Sequence, residues 1–393
     1  MPQTVDFYRI QRLPPYVFES VNTLKASLRG EGRDIIDFGM GNPDMPTPPH
    51  IIEKLVETAQ KPKTNRYSVS RGITGLRRSI TRYYQRRFGV TLNPDTEVIA
   101  TLGSKEGFAN LAQAMTAPGD VFLAPNPAYP IHAYGFIIAG GFIRAIDAPT
   151  PEAYLKGVDA TASSMSPKPV AMVVNYPSNP TAQTVPLDFY EEAIGVAKRH
   201  DMWVLSDLAY AEIYFGEPSP SILQVPGAKD VAVEVNSLSK TYSMAGHRVG
   251  MTVGNPQLIA ALARVKSYLD YGGYTPIQVA ASAALDGPQE CVADIRQIYR
   301  ARRDVLIESF GRAGWDIPSP DASMFAWAPI PPRYSNLGSV EFSKMLMQEA
   351  DVAVAPGLGF GEAGEGFVRI GLVENEQRIR QAARNVKRLL SSD

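Results

Sequence analysis

The chain has 393 residues, of which 45% are hydrophobic and 20% are charged, and its formal net charge is −1 at pH 7. This composition is ordinary for a globular enzyme, and the near-zero net charge argues against nucleic acid or an anionic membrane as an obligatory partner. The single cysteine, Cys291, excludes a disulfide framework and favours a reducing, cytoplasmic location. The four histidines are scattered without metal-ligand spacing, so no metal site is expected.

From about residue 95 onward, short β-branched runs alternate with helical patterns, which predicts a parallel sheet with crossover helices. The most apolar stretch, 134–143, is too short and too rich in glycine to span a bilayer. Predicted helices include 105–115 and 187–199. The predicted strands are 97–103, 120–125, 169–175, 202–207, 230–237 and 248–254.

After about residue 276 the sequence pattern changes. It predicts long charged helices, 277–313 among them, followed by a few short strands. A terminal amphipathic helix is predicted over 375–390. This change predicts a second, smaller α+β domain. The expected division is an N-terminal arm and part of the small domain (1–44), a large domain (45–285) and a C-terminal small domain (286–393).

Chemically useful side chains follow the predicted strands. Ligands bind beyond the carboxyl ends of the strands in an open parallel sheet. The segment 103–107 opens a helix whose free amides and positive dipole end suit a phosphate. Each such feature is common by itself, but their coincidence at successive strand ends indicates one shared ligand. The later strand ends supply Tyr129, Asn179, Asp207, Tyr210, Ser237, Ser239 and Lys240, with Arg248 shortly after.

These residue types predict pyridoxal 5′-phosphate as the cofactor. Its aldehyde needs a lysine amine, its ring nitrogen a carboxylate, its phosphate an arginine with helix-end amides, and its ring face an aromatic neighbour. A nicotinamide cofactor would instead require G-x-G-x-x-G after the first strand. The sequence "TLGSKEG" lacks the first two glycines of that pattern.

The motif S-x-S-K followed by G-x-R-x-G, with N-P-T and D-x-x-Y upstream, resembles the class I/II, fold-type I pyridoxal-phosphate aminotransferases. The resemblance runs from "GMGNP" at 39–43 to "RIGLVEN" at 369–375. It implies an α/β fold with a mostly parallel seven-stranded sheet flanked by helices, beside a smaller α+β domain. Ala182 follows "NPT", where most of the wider family has glycine.

Within that family the chain looks most like the bacterial glutamate–pyruvate (alanine) aminotransferases, through "RIQRLPPYVF", "YSVSRGITGLRRSI" and "SNPTAQ". The reaction implied is L-alanine plus 2-oxoglutarate giving pyruvate and L-glutamate. A diaminopimelate or broad-range aminotransferase, or a C–S β-lyase, would share every cofactor residue. A non-catalytic regulator of this fold is the remaining alternative, disfavoured by the retained Lys240 and by the lack of a basic segment.

The resemblance also implies individual roles. Lys240 would bind the cofactor covalently and later move the proton of the reaction, and Asp207 would pair with the ring nitrogen. Tyr210 and Asn179 would bind the ring oxygen, and Tyr129 would stack on the ring. The phosphate would be held by Ser104, Lys105, Ser237, Ser239 and Arg248.

The remaining implied roles concern the substrate and a second subunit. Tyr67 matches the tyrosine that reaches the neighbouring subunit's phosphate, which implies a homodimer with shared active sites. Arg369 would bind the substrate α-carboxylate beside Gly41 and Asn179, and Tyr16 would line the side-chain pocket. Lys105 is left with two alternatives, the cofactor phosphate or the distal carboxylate of a substrate.

Overall fold

The computed structural model describes residues 7–15 and 17–391. Its α-helices are α1 (Tyr8–Gln11), α2 (Phe18–Gly30), α3 (Pro49–Ala59), α4 (Thr74–Phe88), α5 (Ser104–Met115), α6 (Ile131–Ala139), α7 (Pro151–Ser164), α8 (Leu187–His200), α9 (Leu238–Thr241), α10 (Pro256–Leu269), α11 (Thr275–Asp286), α12 (Glu290–Arg312), α13 (Gly338–Ala350) and α14 (Glu376–Ser391). Its strands are β1 (Ile36–Asp37), β2 (Val98–Thr101), β3 (Val121–Asn126), β4 (Phe142–Asp147), β5 (Ala171–Asn175), β6 (Trp203–Asp207), β7 (Ala232–Ser237), β8 (Gly250–Gly254), β9 (Phe325–Pro329), β10 (Val352–Ala353), β11 (Ala355–Pro356) and β12 (Phe367–Gly371).

Seven strands form one sheet in the order β2-β8-β7-β6-β5-β3-β4. The neighbours from β7 through β4 pair in parallel, whereas β8 runs antiparallel to both β2 and β7. This arrangement confirms the predicted mostly parallel seven-stranded sheet.

The central strands are buried on both faces because helices cover both sides of the sheet. Successive residues of β5 therefore enter different hydrophobic clusters. Met172 and Val174 pack in one cluster, whereas Val173 packs in the other. Such double burial explains why the strand reads as a continuous apolar run.

Two elements differ from the sequence expectation. Strand β4 was not among the predicted strands; it is an edge strand, and Ile146 is its one buried residue. The predicted helical stretch 277–313 is two helices, α11 and α12, separated at Gly287 and Pro288. Proline disfavours helical geometry in the residue before it and cannot donate a backbone hydrogen bond, which ends α11 there.

The C-terminal part of the chain contains an antiparallel sheet of order β11-β12-β9. The N-terminal segment joins it through the parallel pair β1 and β10, with Ile36 opposite Val352. A separate hydrophobic cluster, which includes Trp315 and Phe342, fills this region. The exact domain boundaries remain a prediction.

Within the described residues no helix is both long and apolar enough to cross a membrane.

Candidate active site

A cavity of about 520 Å³ opens at the carboxyl ends of the parallel strands. The C-terminal part of the chain lines its other side through Phe325 of β9 and through Phe360. The structure brings twelve of the predicted site residues to this cavity: Gly41, Ser104, Lys105, Tyr129, Asn179, Asp207, Tyr210, Ser237, Ser239, Lys240, Arg248 and Arg369.

Lys240 lies in the one-turn helix α9, directly after β7, and its amine reaches across the cavity. The Nζ atom donates a hydrogen bond to the carbonyl oxygen of Gly41 at 2.6 Å. Burial, together with the positive charges of Arg369 and Arg248, lowers the pKa of Lys240 to about 7. The amine is therefore unprotonated in a large fraction of molecules near neutral pH.

Asp207 ends β6 and is buried beneath the cavity. One carboxylate oxygen lies 2.9 Å from Nε2 of His132. The other accepts the backbone N–H of Ala209 at 3.1 Å. These two contacts fix the carboxylate in one orientation.

His132 is a site residue that the sequence analysis missed. It lies in α6, is fully buried, and precedes Asp207 by 75 residues. Its ring also meets Tyr129 edge-to-face, with centroids 5.7 Å apart. The available sequence signal was its place three residues after Tyr129, within the helix that follows β3.

Asn179 and Arg369 are in direct contact although they are 190 residues apart in the sequence. A guanidinium N–H of Arg369 donates to Oδ1 of Asn179 at 2.7 Å. Asn175, at the end of β5, stabilises this arrangement. Its Oδ1 accepts the Asn179 backbone N–H at 2.9 Å, and its side-chain amide donates to the carbonyl of Asp207. Asn175 also lines the cavity and was not predicted.

The guanidinium of Arg369 lies between two phenylalanine rings. Its central carbon is 4.0 Å from the centroid of Phe325 and 4.6 Å from that of Phe360. Such stacking holds the planar group in place. A side chain at Gly41 would place a Cβ 2.6 Å from Phe325, so glycine is required beside this arginine.

The opposite end of the cavity is built for an anion. Ser237 and Ser239 are hydrogen-bonded to each other at 2.9 Å. The Arg248 guanidinium donates to the carbonyls of Ala245 and Leu102. It passes so close to Gly103 that a Cβ there would collide with it. The start of α5 adds free backbone amides and a positive helix end.

Two aromatic residues lie between these ends. Burial raises the pKa of the Tyr129 phenol and that of the Tyr210 phenol, so both remain protonated donors. The ammonium of Lys105 lies 5.7 Å from the Tyr129 ring centroid. Lys105 therefore faces the aromatic side of the cavity as well as its anion-binding end.

One predicted site residue, Tyr67, does not line the cavity in the described chain. Tyr67 is 86% exposed and packs against Tyr271, with ring centroids 4.7 Å apart. Tyr16 lies outside the described residues.

The residues present fit pyridoxal 5′-phosphate. A cationic, hydroxyl-lined end suits a phosphate, and a fixed carboxylate suits a ring nitrogen. A buried amine of lowered pKa suits an aldehyde. No group of three histidine, cysteine, aspartate or glutamate side chains that could hold a metal ion occurs in residues 7–15 and 17–391.

Residues 33–386 match the family model described as aminotransferase class I and II. The chain belongs to this family. Class I and II aminotransferases depend on pyridoxal 5′-phosphate, so both the resemblance and the predicted cofactor are confirmed.

Curated relatives of this aminotransferase match it over nearly its whole length. A Rhizobium meliloti (strain 1021) protein that carries the name aminotransferase AatC, with no substrate named, is 63% identical and covers 98% of this chain and 96% of its own. The glutamate-pyruvate aminotransferase AlaC of Escherichia coli (strain K12) is 53% identical, covering 98% and 94% respectively. An LL-diaminopimelate aminotransferase of Moorella thermoacetica is 41% identical, with 97% of each chain covered.

Among solved structures, substrate-bound BacF from Bacillus subtilis superimposes on this aminotransferase with a TM-score of 0.90. The two chains are 33% identical, and 98% of each is covered. A Thermus thermophilus aspartate aminotransferase double mutant gives a TM-score of 0.88 at 28% identity, covering 98% and 99%. The fold is therefore that of the fold-type I aminotransferases.

Proposed function

We propose that this aminotransferase transfers the amino group of L-alanine to 2-oxoglutarate, giving pyruvate and L-glutamate. The observation that carries this proposal is the cavity itself, where Arg369 and Lys240 face a space bounded by phenylalanine rings. Phe18 packs edge-to-face on Phe360 at 5.4 Å and lines that space. The phenylalanine rings beside the arginine favour a donor with a small side chain. The 53% identity to a glutamate-pyruvate aminotransferase supports the same substrates.

When bound, pyridoxal 5′-phosphate withdraws electrons from the amino acid and so weakens its Cα–H bond. Ser104, Ser237, Ser239 and Arg248 would hold the phosphate with the amides that begin α5. Asp207 would hold the ring nitrogen in its protonated form, and the contact with His132 keeps that carboxylate oriented. Tyr129 would cover one ring face, while Tyr210 and Asn179 would bind the ring oxygen.

Lys240 would act first as the residue that attaches the cofactor and then as the base that moves the substrate proton. A base works best when its pKa is near the working pH, and a pKa of about 7 meets that condition. The hydrogen bond to the Gly41 carbonyl aims the amine toward the side of the cavity where Arg369 lies. The base, Lys240, and the substrate anchor, Arg369, would therefore act on the same molecule.

Arg369 would bind the α-carboxylate through two parallel N–H groups. Its contact with Asn179 and its two phenylalanine neighbours hold the guanidinium before substrate arrives. Because Arg369 is already held in place, substrate binding costs little conformational entropy of this side chain. The bound carboxylate would then position the substrate Cα near the Lys240 amine. Lys105 would serve the distal carboxylate of glutamate, because its ammonium lies over Tyr129 on the cavity wall.

We also propose that the active unit is a cytoplasmic homodimer. An exposed aromatic and aliphatic patch surrounds Tyr67, and it includes Val69, Tyr268, Leu269 and Tyr271. Exposed apolar patches of this kind mark protein interfaces. Association of two copies through this patch would bring Tyr67 to the phosphate of the neighbouring subunit.

A single-turnover screen tests the substrate proposal. The cofactor-loaded protein is mixed with one amino acid at a time, and its visible absorption is followed as the cofactor accepts the amino group. We expect conversion with L-alanine and with L-glutamate. No conversion with either amino acid would refute the proposed substrates.

The same screen separates the alternatives. Rapid conversion with LL-diaminopimelate and none with alanine would favour the activity that the 41% identical relatives are named for. Release of pyruvate and ammonia from a β-substituted donor, with no oxo acid present, would identify a β-lyase. A D-alanine control reports whether the conversion depends on the geometry of the site.

A further inference from the structure

Lys266 is a buried lysine that the proposed reaction does not use. It lies in α10, its side chain is 1% exposed, and it lines a second cavity of about 500 Å³ beside the start of α5. A charged side chain at such depth is costly unless it is paired. Its partners therefore indicate what the charge is retained for.

The Lys266 ammonium is shared by two carboxylates. Its Nζ atom lies 2.8 Å from Oε1 of Glu106 and 2.8 Å from Oδ2 of Asp270. Each carboxylate uses its other oxygen to accept a backbone N–H, from Leu102 at 2.8 Å and from Gly272 at 2.6 Å. The three charged groups thus connect two separate stretches of backbone.

The first stretch carries the anion-binding end of the active site. Leu102, held through its N–H by Glu106, offers its carbonyl to the Arg248 guanidinium at 3.1 Å. Gly103 and Ser104 follow at once and begin α5. A shift of the Glu106 carboxylate would therefore move Leu102, whose carbonyl accepts the hydrogen bond from Arg248.

The second stretch carries the exposed patch around Tyr67. The carbonyl of Asp270 accepts the Ser70 hydroxyl at 2.5 Å. Gly272, with φ of +78°, lies so close to the carbonyl of Val69 that a Cβ would collide with it. The next ring contact along this surface is Tyr271 against Tyr67. Asp270 therefore sets the position of the segment that presents Tyr67.

We propose that Lys266 is a positioning residue that couples cofactor binding to the association of two subunits. The inference depends on the proposed homodimer. Removal of the ammonium leaves two partly buried carboxylates that repel each other, so the Leu102 segment and the Asp270 turn both lose their fixed positions. Cofactor binding, which orders the Leu102 segment, then no longer orders the Asp270 turn. Association with a second subunit, which orders the Asp270 turn, no longer orders the Leu102 segment.

The test measures two equilibria in Lys266→Met. Sedimentation gives the dimer dissociation constant of the cofactor-free and of the cofactor-loaded protein. Fluorescence titration gives the cofactor dissociation constant at protein concentrations above and below the one at which half of the chains are dimeric. In the unsubstituted protein the cofactor must strengthen the dimer, and the dimer must bind cofactor more tightly by the same factor. In Lys266→Met we expect both constants to weaken by about tenfold or more and the coupling factor to fall.

Lys198→Met is the matched control, because Lys198 forms an ion pair with Asp230 on the surface, where the two side chains are 43% and 70% exposed. It should leave both constants unchanged. Asp270→Asn retains an oxygen for the Gly272 N–H and removes one charge, so it tests the coupling if Lys266→Met fails to fold. We expect it to reduce the coupling factor as well.

Tyr67→Phe separates this route from a direct contact of Tyr67 with the neighbouring phosphate. Lys266→Met should lower the coupling factor further in the Tyr67→Phe background. A dimer whose cofactor coupling is the same in Lys266→Met as in the unsubstituted protein would overturn the inference and leave the homodimer intact. A protein that stays monomeric at every concentration, loaded or not, would overturn the homodimer itself.

Discussion

Lys266 is fully buried and Lys240 is partly buried, yet their surroundings are opposite. Burial, together with the positive charges of Arg369 and Arg248, lowers the pKa of Lys240 to about 7. Lys266 contacts two carboxylates and connects two segments of backbone. Burial by itself therefore does not determine the function of a lysine. Cationic neighbours produce a reactive amine, whereas anionic neighbours produce a structural cation.

Exchanging each lysine for methionine should separate the two roles most strongly. Lys240→Met should abolish covalent cofactor attachment and lower the transamination rate by about 10²–10⁴-fold, because the proton-transfer base is lost. Its free energy of unfolding without cofactor should be unchanged or higher, since no buried carboxylate loses a partner. Rate assays and urea unfolding measure the two effects.

Lys266→Met should give the reverse result in unfolding. It leaves the partly buried Glu106 and Asp270 without their cation, so the free energy of unfolding should fall by about 1.5–3 kcal/mol. Lys198→Met, the surface control, should change it by less than about 1 kcal/mol. Equal stability losses for Lys240→Met and Lys266→Met would contradict the distinction between the two lysines.

Arg369→Gln tests one of the cationic neighbours of Lys240. Charge-assisted hydrogen bonds contribute about 1.5–3 kcal/mol, so the apparent affinity for L-alanine should fall about 10- to 150-fold. Cofactor affinity should stay near its original value, because Arg369 lies at the end of the cavity opposite the serines. The single-turnover screen gives the first quantity and equilibrium titration the second.

Arg312→Gln, at an exposed ion pair with Glu308, is the matched control and should change neither quantity. Loss of cofactor in Arg369→Gln with unaltered alanine binding would show that the proposed role is misassigned.

The smallest expected effect is a pH shift in cofactor attachment. Only the unprotonated Lys240 amine can attack the cofactor aldehyde, so the attachment rate should rise with pH and reach half its maximum near pH 7. An ordinary lysine of pKa about 10.4 would be unprotonated in about one molecule in 2,500 at that pH. Stopped-flow measurements on the cofactor-free protein give the profile.

Arg369→Gln should move this midpoint upward, because the positive charge of Arg369 is one cause of the lowered pKa. A midpoint near pH 10 in the unsubstituted protein would show that the surroundings of Lys240 do not act as described.

The sequence predicted the sheet and most of the cavity because both depend on local signals. Buried parallel strands read as apolar runs, and the residues just after them meet at one edge, as with Asp207 and Ser237. Strand β4 escaped prediction because, as an exposed edge strand, it lacks such a run.

Long-range partners carried no such signal. His132 reads as a single histidine in a helix until the fold brings it to Asp207, 75 residues away. Lys266 reads as a helical lysine paired with Asp270 four residues on, and only the packing of α10 against α5 reveals its second carboxylate, Glu106. The proposed contact of Tyr67 is with the neighbouring subunit, so it is seen only when a second copy of the chain is considered.

The pairing of β1 with β10 has a consequence for protein synthesis. Ile36 pairs with Val352, so the strand has no partner until 316 further residues have been made. All seven strands of the large sheet, and the serines with Arg248, are complete by Gly254. Domains generally fold as units as the chain emerges. A growing chain can therefore form its phosphate-binding end well before Arg369 exists, and the ability to hold cofactor precedes the ability to bind an amino acid.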